Sequence, residues 1–153
     1  MKNNIEEYYE TEVELNERQI EIVVNTIGMK KIDKESIQAI DNYIDNIGIN
    51  EKSIRLVIHK DFEQKGEAKN YIDFQMKEQD KEDIAELIEY ADKKLSKKEK
   101  LLSVIHLLRI NFYPETKDKV FAMYDYTIGE ELTDDLLVVK VLRNNNVEVT
   151  IES

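Results

Sequence analysis

Residues 107–153 decide the fold. They read Leu107-Leu-Arg-Ile-Asn-Phe-Tyr113, then Lys119-Val-Phe-Ala-Met-Tyr-Asp-Tyr-Thr127, then Leu136-Leu-Val-Val-Lys-Val-Leu-Arg143, then Val147-Glu-Val-Thr-Ile-Glu152. Each run is rich in β-branched and aromatic residues and alternates with a period near two, which is the strand signature. The connections, Pro114–Asp118, Gly129–Asp134 and Asn144–Asn146, are short. Antiparallel neighbours need no more than that, so the four strands are expected to form a meander.

Working toward the N-terminus, the period changes. Ser96 and Glu99 have capping-box spacing and open a short helix through Leu101 and Leu102. Asp80 precedes a stripe of Ile84, Leu87, Ile88 and Ala91, and a weaker helix is expected over about 68–76. Asn50 is the expected cap of a helix with Ile54, Val57, Ile58 and Phe62 inward, stopped by Gly66. Asp33 is the expected cap of another, with Ile37, Ile40, Ile44 and Ile47, ended by Gly48. Period two returns at 8–25. There Thr11, Val13 and Leu15 alternate with Glu10, Glu12 and Glu14, then a turn at Asn16-Glu17-Arg18 leads to Ile20, Ile22 and Val24. The expected fold is α+β. An antiparallel sheet of five to six strands, from an N-terminal hairpin plus a C-terminal four-strand meander, carries four to five helices on one face.

With hairpins centred on their turns, alternation sorts the sheet faces. Leu108, Ile110, Phe112, Phe121, Met123, Leu137, Val139, Val141, Val147, Val149 and Ile151 form the expected core face. Arg109, Asn111, Tyr113, Ala122, Tyr124, Tyr126, Val138, Lys140, Leu142, Glu148, Thr150 and Glu152 fall on the other.

The chain has 153 residues, one proline, four glycines and no internal repeat, which fits a single domain over 1–153. Without cysteine it has no disulfide, thiolate metal site or thiol nucleophile. The net charge of −11 argues against nucleic-acid binding, because phosphates would be repelled. Seven glutamates precede residue 22, against Lys2 and Arg18, the reverse of a secretory signal. No apolar run approaches the ~20 residues of a membrane span. A cytoplasmic location is therefore expected.

Residues 121–139 contain an Asp125-Tyr-Thr127 triplet, a Glu131-Leu-Thr-Asp134 turn and a Leu136-Leu-Val-Val139 strand, and the chain closes on Glu152-Ser153. This pattern resembles a bacterial domain-of-unknown-function family, the one numbered two thousand and four. The match covers about 107–153. Tyr124 stands where the family pattern has Phe, and Asn144-Asn-Asn146 replaces a glycine-containing turn. The resemblance implies a fold and no activity.

Asp125 is assigned to the core face, so two readings compete for it. One is a general acid/base or ligand group with a raised pKa. The other is a strand-end carboxylate bonded to the Gly129–Thr133 loop, which aspartates near turns commonly provide. His106 is a candidate base in the same pocket. His59 shares a helix face with Glu63, but two ligands do not make a metal site. There is no phosphate loop, His-Glu-x-x-His or nucleophile elbow, so no catalytic residue, metal or cofactor is assigned. The expected function is a non-enzymatic protein-binding module, in its sharpest form an immunity- or antitoxin-like protein that occludes a basic partner. The expected face carries Arg109, Tyr113, Tyr124 and Tyr126, flanked by Glu10, Glu12 and Glu14; a homodimer through that face is a further option. The alternative is a small-ligand binder or enzyme using Asp125 and His106.

Overall fold

The computed structural model describes residues 8–26, 34–114 and 119–153. In order come β1 (Tyr8–Leu15), β2 (Arg18–Asn25), α1 (Lys34–Asp45), α2 (Ile47–Glu63), α3 (Glu67–Glu78), α4 (Lys81–Leu87), α5 (Lys97–Val104), β3 (His106–Phe112), β4 (Val120–Thr127), β5 (Leu136–Leu142) and β6 (Val147–Glu152). The six strands form one sheet in sequence order, an α+β architecture. Four of its five pairs are antiparallel. The exception joins the hairpin to the meander: β2 runs parallel to β3, with the helices between them in the chain. Parallel neighbours need a long crossover, and the helical segment is that crossover.

The hairpin turn is tight. Asn16 and Glu17 both adopt left-handed φ values, 52° and 66°, as a two-residue turn matched to strand twist requires. At the opposite end of the crossover, the Ser96–Glu99 capping box forms with both bonds, at 3.2 and 3.1 Å. Two expected boundaries move. Gly48 does not end a helix, because α2 already starts at Ile47, and Asn50 lies inside it. Lys65, at φ 61°, takes the left-handed position after α2. Gly66 instead precedes α3 and is needed for a close approach: a Cβ there would lie 2.3 Å from the Asp61 carboxylate, which caps the Ala68 N–H at 2.7 Å. The expected cap Asp33 lies outside the described residues.

The core joins Ile20, Ile22 and Val24 of β2 to Ile110, Phe112, Leu137 and Val139 of the meander and to Ile40, Ile54, Ile58, Tyr71, Ile72 and Ile84 of the helices. Val139 and Ile151 lie on the same side, as expected. β4 does not follow the expectation. Ile110 is opposite Tyr124, and Phe112 opposite Ala122. Ala122, Tyr124 and Tyr126 therefore face the helices, while Met123 and Asp125 face away. A β-bulge between Val120 and Ala122 is the cause. Phe121 does pack inward, against Phe112 and Tyr43, but the extra residue resets the alternation behind it. A second irregularity, between Leu107 and Arg109, puts Leu107 rather than Leu108 in the core.

Candidate functional site

The sheet face away from the helices is built by register. Glu12, Glu21, Arg109, Asp125, Val138 and Thr150 form one row across all six strands. Beside it run Glu10, Val23, Asn111, Met123, Lys140 and Glu148. Glu10, Glu12 and Glu14 all project from β1, an edge strand, and all three are exposed. Glu12 is directly opposite Glu21. Burial pushes the Glu21 carboxyl pKa up; its hydrogen bond with Glu10 and the charges of Glu10 and Glu12 push the same way, against Arg109.

Asp125 is 6% exposed on this face. Its partners are not the expected loop groups. Asn111 Nδ2 donates to Oδ2 at 3.1 Å, and Arg109 Nε lies 3.2 Å from the same oxygen without the alignment of a hydrogen bond. In the loop, Thr133 Oγ1 accepts from Asp135 N–H, and before it Thr127 Oγ1 accepts from Gly129 N–H. Burial raises the Asp125 pKa, with Asn111 and Arg109 opposing and Glu152 adding. Tyr113 completes the face, its hydroxyl donating to Met123 Sδ at 3.4 Å.

Tyr124 and Tyr126, expected as exposed anchors here, are fully buried beneath the sheet. The Tyr124 hydroxyl pairs with that of Tyr43 on α1. Tyr126 donates to Glu51 Oε1 on α2 at 3.2 Å, Arg55 Nε donates to the same oxygen at 2.6 Å, and the guanidinium lies 5.3 Å from the Tyr126 ring centroid. Sequence alternation missed this cluster. One signal was present: Glu51 precedes Ile54 by three residues and Ile58 by seven, which places it on the apolar stripe of α2.

His106 and Asp125 do not share a pocket. His106 is paired with Thr127, whereas Asp125 is paired with Arg109. His106 lines a separate cavity of about 170 Å³ with Arg18, Glu51 and Arg55. Among the described residues, no group of three or more His, Asp or Glu is arranged to hold a metal ion. Nor is any helix among them long and apolar enough to cross a membrane.

No protein-family model, curated protein or solved structure matches the chain.

Proposed function

We propose that this chain is a non-enzymatic binding protein that docks a basic protein partner on the sheet face away from the helices, at its β1–β2 edge. The observation that carries this reading is the crowding of Glu10, Glu12 and Glu21 at the β1–β2 edge, where Arg109 is the cation acting on Glu21. Like charges placed directly opposite one another destabilise a sheet. A cationic partner relieves that repulsion and gains association rate from the field of a chain with net charge −11. Arg109 and Tyr113, both half-buried, are the anchors on the same face, since Arg and Tyr bury large area and keep polar tips. An immunity- or antitoxin-like role, blocking a basic enzyme such as a nuclease, is the finer form of this proposal.

The test is association kinetics with the partner recovered from the native cell. Replacing Glu10, Glu12 and Glu14 by lysine should slow association by about tenfold or more at low salt, with the difference shrinking as salt screens the charges. Tyr113→Ala should speed dissociation. Association that is indifferent to both salt and charge reversal refutes the reading. A dimeric mass that reverts to monomer on the same reversal would mean that a second copy, not a basic partner, occupies the face.

A further inference from the structure

We propose that the cavity between the hairpin turn, α2 and the start of β3 binds a small oxyanion, a phosphate or a small carboxylate, held between Arg18 and Arg55. The argument is independent of the sheet face away from the helices. Two of the chain's four arginines converge on this cavity. Arg55 makes no hydrogen bond among the described residues except to Glu51, although a guanidinium carries five donors. Among the described residues Arg18 makes no hydrogen bond or ion pair, and its charge is felt by His106. Glu51 is 3% exposed and already accepts from both Arg55 and Tyr126. Among the lining residues, two arginines face one carboxylate, inside a chain that is strongly negative; the charges of Glu130 and Glu131 also reach His106.

Size and wall chemistry narrow the ligand. About 170 Å³ is enough for one small oxyanion. Leu15, Ile20 and Leu107 also line the cavity, but its surface is mainly polar. Arginine forks match the paired oxygens of phosphate and carboxylate alike. Burial, then Arg18, holds the His106 pKa low; Glu131, Glu130 and a bond to the Val104 backbone act in the opposite direction.

His106 and His59 are the only two histidines, so the imidazole NMR signals read the site against an internal control. His59 is exposed on α2 and lines a different cavity. Sodium phosphate and sodium acetate are titrated separately at ionic strength fixed with sodium chloride. The His106 signal should shift saturably while His59 does not. Saturation with phosphate alone identifies a phosphoryl ligand, with acetate alone a carboxylate, and with both a general oxyanion site. Arg18→Gln, at an exposed position, should raise the saturation midpoint about tenfold or more with an unchanged melting temperature. If that variant fails to fold, Arg18→Lys keeps the charge, loses the fork and should still bind several-fold more weakly. Equal shifts in chloride, or a midpoint that ignores both substitutions, overturn the proposal.

Discussion

Beneath the sheet, Tyr71, Tyr124 and Tyr126 are at most 1% exposed, and each hydroxyl has a partner. Tyr71 accepts from Ile128 N–H and donates to the Asp135 carbonyl, Tyr124 pairs with Tyr43, and Tyr126 donates to Glu51. Burial raises the pKa of all three, so they stay neutral. On the face away from the helices Asn111, Tyr113 and Thr150 are neutral, but Glu10, Glu12 and Glu21 crowd one another at the β1–β2 edge. A phenol needs only one or two hydrogen bonds to be buried, whereas a carboxylate needs solvent or a counter-ion. The helix side thus uses polarity to fix packing. The other side keeps charge at its β1–β2 edge.

The largest expected effect tests the helix side. Glu51→Ala removes the acceptor of both Tyr126 and Arg55 and should cost about 2–4 kcal/mol in urea unfolding, because the Tyr126 hydroxyl is left buried and unpaired while Arg55, 28% exposed, turns to solvent. A loss under about 1 kcal/mol would mean that water already serves these groups and that the two faces differ less than their burial implies.

The strands of the meander and the helical stripes were legible because period two and period 3.6 are strong signals over six or more residues. The face assignment of β5 and β6 followed, since Leu137, Val139, Val149 and Ile151 alternate without interruption. β4 was not legible. Alternation from Phe121 points Met123 inward, and no residue type in the run announces the bulge after Val120. Tyrosine compounds the difficulty: its ring suits a core and its hydroxyl suits a surface, so only the partner on a distant helix decides. Tyr43 and Glu51, 81 and 75 residues away in sequence, make that decision here. The parallel β2–β3 pair was hidden for a similar reason, because a hairpin pattern says nothing about which strand its second arm joins. The acidic row of β1 was legible, and so was the burial of Asp125; its place on the face away from the helices, between Arg109 and Asn111, was not.

Asp125 sharpens the contrast: it is a carboxylate buried on the face away from the helices, as its row neighbour Val138 and nearby Val23 are. Asp125→Ala strips the acceptor from Asn111 and the counter-ion from Arg109 and should cost about 1–3 kcal/mol. Its pH dependence has a definite sign. A carboxyl whose folded pKa is raised contributes stability below its unfolded pKa, and that contribution is lost as pH rises through the folded value. Asp125→Asn, which cannot ionise, should therefore gain on wild type between pH 4 and pH 7. The opposite trend in urea midpoints would show that Arg109 favours the charged form by more than burial opposes it.

The smallest effect bears most directly on why the face away from the helices is built as it is. Glu12→Gln removes the carboxylate directly opposite Glu21 and should stabilise the fold by only about 0.5 kcal/mol, because solvent screens the pair. The gain has a pH window. Glu21 has a raised pKa, so the stability tied to its neutral form is present below its ordinary value of 4.5 and disappears as pH rises through the folded value. Taking away Glu12 lowers that folded value, so the variant should match wild type near pH 3 and exceed it at pH 7. The carboxyl carbon of Glu21, followed by NMR titration, should show a lower midpoint in the variant, and added salt should narrow the stability gap by screening wild-type repulsion. The same substitution should slow association with a basic partner if the proposed docking face is right. A Glu21 midpoint unmoved by Glu12→Gln would dissolve the crowding and remove the observation on which the docking face rests.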